Sequence, residues 1–148
     1  MKIYLEEYTP DKRGNVKDFI LHTWKEFGFV YMPEFDRDLD DPRKFYIEPG
    51  GMFYILREGD MIIGTIGIIN KEDSCAELKR FYIDTDYRGK GYGTRLFDKA
   101  IEFCRQHGMK KVEFETGKAF TQGHAFYINK GFKKVREDKD SYYMEKYI

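Results

Sequence analysis

Apolar residues recur at two periods along this chain, and the alternation between the periods predicts its elements. Residues 12–27 place Val16, Phe19, Ile20, Trp24 and Phe27 on one helical face, and Gly28 follows as a stop. Residues 91–107 repeat that spacing with Leu96, Phe97, Ala100, Ile101 and Cys104 inward, ended by Gly108. A shorter helix is predicted over 121–130, closed by Gly131. Strand-like runs occupy 2–8, 52–58, 61–69, 75–83, 111–116, 132–137 and 141–147. Gly59-Asp60 joins the second and third runs as a hairpin, and Asp138-Lys139-Asp140 joins the last two. The acidic stretch 33–46 reads as one or two short helical turns before the turn cluster Glu48-Pro49-Gly50-Gly51. The order β-α-α-β-β-β-α-β-α-β-β predicts an α+β fold, a mixed sheet with one right-handed βαβ crossover.

Composition narrows this picture. The chain has 148 residues, which fits a single domain over 1–148. Lysine plus arginine and aspartate plus glutamate number 26 each, so the formal net charge is zero. That balance argues against a surface tuned throughout to nucleic acid or to an anionic membrane. No apolar run approaches the roughly 18 residues of a membrane span, and Glu6-Glu7 arrive too early for a signal peptide. Cys75 and Cys104 lack metal-ligand spacing and sit in apolar-patterned segments, so they are expected to be buried free thiols. A cytoplasmic, metal-free protein is expected.

Chemistry concentrates at Tyr87-Arg88-Gly89-Lys90-Gly91-Tyr92-Gly93-Thr94-Arg95, between a predicted strand and a predicted helix. Three glycines in five residues let amides turn inward without a Cβ in the way. The first amides of a helix have no intrahelical partner, and the helix dipole adds partial positive charge there. Such a turn suits a phosphate or pyrophosphate. A P-loop requires Gly-Lys-Ser/Thr, but Gly91 follows Lys90. The dinucleotide fingerprint fails too, because Thr94 stands where its last glycine or alanine belongs.

Arg88-x-x-Gly91-x-Gly93 resembles the pyrophosphate loop of the GNAT-superfamily N-acetyltransferases. Upstream, Glu77-Leu78-Lys79-Arg80-Phe81-Tyr82-Ile83 is similar to that family's strand before the loop. Downstream, Ala125-Phe126-Tyr127-Ile128-Asn129-Lys130-Gly131-Phe132 is similar to its last helix. The likeness is specific over 52–137. Thr85, Gly123 and Phe120 depart from the residues common in the family, the last two at the start of the final helix.

The resemblance implies the acyl-CoA N-acyltransferase fold, a mostly antiparallel sheet splayed at a central β-bulge with helices on both faces. The apolar parity of 76–83 points the same way, since burying Leu78, Phe81 and Ile83 together requires an extra residue. The resemblance further implies acetyl-CoA as acyl donor and no metal. The donor would be held by Phe81, Tyr82 and Ile83, by Arg88, Gly89, Lys90, Gly91, Tyr92, Gly93 and Thr94, and by Tyr127 and Lys130. Tyr127 would be the acid for the departing thiolate, and Glu77 the base for the attacking amine. No Ser/His/Asp or Cys/His order suggests a covalent nucleophile, so direct transfer in a ternary complex is expected.

The implied acceptor is a small-molecule or peptide amine, with neither nucleic acid nor membrane as partner. The acidic and aromatic stretch Glu34–Asp41 would suit a cationic acceptor, or form a solvated helix face. Residues 77–111 hold nine bases against five acids, which sets positive potential at the phosphate end. The tyrosine-rich run 141–147 is a candidate edge strand for a homodimer. A non-catalytic acyl-CoA sensor of the same fold is the alternative function.

Overall fold

A computed structural model describes residues 2–148; Met1 and the side chain of Gln122 lie outside it. The strands are β1 (Ile3–Glu7), β2 (Met52–Glu58), β3 (Met61–Asn70), β4 (Cys75–Ile83), β5 (Lys111–Gly117), β6 (Lys133–Glu137) and β7 (Ser141–Tyr147). The α-helices are α1 (Arg13–Trp24), α2 (Tyr92–Gln106) and α3 (Thr121–Asn129). Each predicted element is present within a few residues of its expected bounds. The 12–27 segment is an α-helix flanked by 3₁₀ turns at Pro10–Lys12 and Lys25–Phe27, and Gly28 ends it with φ 73°. The acidic stretch holds a 3₁₀ turn at Arg37–Leu39 and a π-helical turn at Arg43–Ile47.

One seven-stranded sheet runs β1-β2-β3-β4-β5-β7-β6. Every pairing is antiparallel except β4–β5, which α2 connects as the crossover. Apolar side chains leave the sheet on both faces, so each face needs cover. On one face α2 packs Leu96, Phe97, Ala100 and Cys104 against Ile63, Ile66, Leu78 and Val112. On the other, α1 packs Val16, Ile20 and Trp24 with Tyr46, Phe53 and Ile55. Both cysteines are buried free thiols. Among the described residues no helix is long and apolar enough to cross a membrane.

The closing hairpin corrects one expectation. β7 is not an edge; it pairs with β5 on one side and β6 on the other. The edge is β6, whose sequence Lys-Lys-Val-Arg-Glu is exposed throughout. Charges on an edge strand discourage further strand pairing. The crossover leaves β5 open on its far side, and β7, with the more apolar face, fills that position.

Gly51 shows why the turn before β2 needs glycine. A Cβ there would sit 1.9 Å from the Ile68 carbonyl oxygen and 2.7 Å from that of Tyr46. The turn therefore brings main chain against main chain.

Candidate functional site

The predicted bulge is present in β4. Thr65 faces Tyr82 and Gly67 faces Lys79, so Arg80 and Phe81 together oppose Ile66 alone. Arg80 takes the strain, with φ 55° in the left-handed region. Its carbonyl accepts from Thr65 Oγ1 at 2.7 Å. Its side chain turns into the α1 face, where Nε and one terminal nitrogen each donate to Asp38 at 2.8 Å. Asp36 accepts at 3.2 Å, and the guanidinium lies 5.3 Å from the Trp24 ring centroid. The Tyr46 hydroxyl also donates to Asp38. Burial alone would raise the Asp38 carboxyl, but the hydrogen bonds and charge of Arg80 hold it below its ordinary range.

Because of the bulge, β4 and β5 pair only over Cys75–Glu77 and Lys111–Glu113. Beyond that point they diverge around a cavity of about 580 Å³, lined by both strands, α1, the glycine-rich turn and α3. The Asp84 amide donates to Ile63 at 2.8 Å. Strand alternation then turns the amides of Phe81 and Ile83 away from β3, toward the opening. The Ile83 carbonyl accepts from Arg88 Nε at 3.0 Å. Arg88 also pairs with Glu26 at 3.4 Å, which ties the turn to the end of α1.

At the glycine-rich turn, Gly89 and Gly91 have φ 76° and 86°, and a Cβ at either would meet nothing within 4 Å. Conformation rather than crowding demands glycine at both. Gly91 is the N-cap of α2 and contributes no side-chain cap. Arg95 is the first residue there whose amide finds a carbonyl, that of Gly91 at 3.1 Å; the amides of 89–94 donate to no acceptor among the described residues. A row of free amides at the head of a 15-residue helix suits an anion. Lys90 and Arg95 make no ion pair among the described residues, so their charge adds to that field.

Most of the expected donor-binding residues share this cavity. Phe81, Tyr82, Ile83 and Arg88 line it, as do Gly89, Gly91, Gly93, Thr94 and Tyr127. Lys90, Tyr92 and Lys130 stand outside the lining. Lys90 and Tyr92 lie against Tyr87, and Lys130 sits 3.7 Å from Asp98 over the rings of Phe97 and Phe126. Tyr127 packs its ring 3.8 Å from that of Phe114. Among the described residues its hydroxyl bonds no protein group, and no buried side-chain polar atom is left unpartnered. That hydroxyl therefore opens onto the cavity. Burial raises its pKa well above the usual phenol value, so it holds its proton at neutral pH.

Glu77 stands elsewhere. It faces Glu113 across the closed part of the β4–β5 ladder and lines a second cavity of about 300 Å³. The two cavities meet at Phe114 and Glu115, which line both. Glu113 is engaged by Lys71, whose hydrogen bond lowers its carboxyl. The acidic stretch is divided: Glu34 stays exposed, while its later acids are engaged within the protein. Asp36 and Asp38 are buried under Arg80, Asp40 takes Lys17 at 2.5 Å and Tyr31, and none of 34–41 lines the larger cavity. The Arg80 clamp and the Glu26 tie are not legible in the sequence, where Phe27 reads as part of the first helical stripe and Phe120 as a departure at the start of the last helix. A charged residue at the parity slip was the available signal for Arg80; Glu26 offered none.

The model of the acetyltransferase (GNAT) family matches residues 16–132. An N-acetylaspartate synthetase of Xenopus tropicalis is 30% identical over 100 residues, covering 66% of this chain and 37% of that protein. Human N-acetyltransferase 8 is 27% identical over 104 residues, 66% of this chain and 46% of that one. The matches thus span less than half the length of these relatives. A solved GNAT-family acetyltransferase from Staphylococcus aureus Mu50 superimposes with a TM-score of 0.91 at 25% identity, covering 99% of both chains. The PaiA N-acetyltransferase of Thermoplasma acidophilum, solved in complex with coenzyme A, shares the fold at TM-score 0.78 and 19% identity over the whole of both chains.

Proposed function

This chain belongs to the GNAT acetyltransferase family, and on that premise we propose that it is an acetyl-CoA-dependent N-acetyltransferase. It moves an acetyl group to a primary amine by direct attack in a ternary complex, as a single domain over 1–148. The observation that carries this reading is one cavity that joins three features: the free amides of the glycine-rich turn, the opened β4 backbone and the Tyr127 hydroxyl. The coenzyme A complex of the Thermoplasma acidophilum protein adds support for the donor.

The residues present fit such a donor. The amides of 89–94, with Arg88, would hold its pyrophosphate. The amides of Phe81 and Ile83, turned toward the opening, would hold its amide-bearing arm as an added strand. Bound acetyl-CoA supplies an acetyl group activated as a thioester. The chain supplies position and protons. An amide of β4 at the bulge can donate to a carbonyl oxygen that gains charge. Tyr127, protonated at neutral pH, can give a proton to a departing thiolate. Glu77 remains the proposed base; from the neighbouring cavity it would take the amine's proton through water. Neither cysteine lines the main cavity, and burial pushes the Cys104 thiol up to about 12, which suits direct attack rather than an acyl-cysteine.

The test is to mix the protein with acetyl-CoA and an amine panel and to follow free thiol. Amine-dependent release is expected. Tight acetyl-CoA binding with no release from any amine would instead select the sensor.

A further inference from the structure

The glycine-rich turn lies at the α2 face of the splay, so the opposite, α1 face is the side left for an acceptor. That side is aromatic. Phe120 sits at the centre, with ring centroids of Phe27 at 4.4 Å, Phe29 at 5.5 Å and Tyr82 at 6.2 Å. Phe27, Tyr82 and Phe120 line the cavity, and Phe29 is 41% exposed beside them. The backbone makes room for this arrangement. A Cβ at Gly117 would meet the Phe120 ring at 3.1 Å, so glycine at the end of β5 lets the ring lie against the strand.

Three of the five charged side chains on the lining are paired within the protein. Arg80 is held by Asp38 and Asp36, and Arg88 by Glu26. Lys79 and Glu115 make no ion pair among the described residues, and Glu115 accepts from Ser141 at 2.7 Å. One cation and one acid leave no excess charge for a dicarboxylate or a polycation, either of which would lose hydration against Phe27 and Phe120. The same cavity of about 580 Å³ would also take the donor's arm, which limits the space left inside it for the acceptor's apolar group.

We infer that the acceptor is a small amine carrying an aromatic or bulky apolar group, seated against Phe27 and Phe120. This rests on the acetyl-transfer reading of the cavity. It differs from the aspartate in the name of the Xenopus tropicalis relative.

The test titrates phenethylamine, aspartate and spermidine into protein saturated with coenzyme A and reads each affinity by calorimetry. Phenethylamine should bind at least about tenfold more tightly than the others, the discrimination expected of an apolar pocket. Phe120→Ala should remove most of that preference. Phe27→Ala, on a different element, should do the same and serves if the first variant fails to fold by its melting curve. Aspartate or spermidine binding as tightly as phenethylamine overturns the inference. So does a preference unchanged in the folded variants, or no measurable binding of phenethylamine. Thiol release with acetyl-CoA in parallel mixtures reports on acetyl transfer separately, because the order of affinities does not depend on turnover.

Discussion

Replacing Asp38 by alanine should unfasten the bulge from the α1 face. Asp38 receives two 2.8 Å bonds from Arg80 and one from the Tyr46 hydroxyl. The side chains of Arg80 and Asp38 are 10% and 9% exposed, so water cannot replace what is lost. Removing one partner of a buried ion pair destabilises by about 3–5 kcal/mol, because the other charge stays buried. Asp36 remains 3.2 Å from the guanidinium, which sets the expectation at the low end, about 3 kcal/mol. For a chain of this size that lowers the melting temperature by about 6–12 °C. Arg80→Gly provides the second corner of a cycle. It removes the stranded charge and relieves a left-handed conformation that costs a non-glycine residue about 1–2 kcal/mol. The double variant should therefore melt higher than Asp38→Ala alone, with a non-additive cycle. Melting by circular dichroism at 222 nm reads all three. An Asp38→Ala protein melting within about 1 °C of the parent, or strictly additive effects, would refute a buried clamp.

Four other outcomes follow from the same geometry. The Asp38 carboxyl is held below its usual 3.8; a depressed folded value stabilises above about pH 4 and is lost as pH falls through that value. Asp38→Asn should thus flatten the acid limb of stability measured by denaturant titration from pH 6 downward. Gly91→Asp adds a side chain at φ 86° and a negative charge beside the free amides, so coenzyme A binding by calorimetry should be abolished while the fold persists. Tyr127→Phe removes a hydroxyl that bonds no protein group among the described residues, so melting should hold while acetyl turnover falls by about 10²-fold or more; an unchanged rate would remove Tyr127 as the acid. Gly51→Ala forces a Cβ to within 1.9 Å of a carbonyl oxygen and should lower stability by about 3 kcal/mol, read by urea unfolding.

The elements were legible because each long segment keeps a single period. Val16, Phe19, Ile20 and Trp24 form one stripe, and Leu96 through Cys104 form another. The bulge was legible for a related reason: Leu78 and Phe81 could not share a face without an extra residue, and Arg80 is that residue. What sequence did not carry is pairing between distant segments. The 34–41 stretch looked like a solvated or ligand-facing acidic run, yet Asp36 and Asp38 meet Arg80 more than 40 positions away. Glu77 lies on the closed part of the ladder and lines the cavity next to that of Tyr127, a placement set by the β4–β5 pairing and not by local sequence. Strand order is also set by tertiary packing. Nothing local to Ser141–Tyr147 says that it lies between β5 and β6, so its aromatic richness suggested an edge.

In the proposed function the amides of 89–94 receive the donor's diphosphate beside an opened β4. Amide chemical shifts followed during titration with coenzyme A test this directly. The largest changes are predicted at residues 89–94 and at Phe81 and Ile83, with little change on β6. Saturable binding that moves other amides instead, or no binding at millimolar ligand, would contradict it.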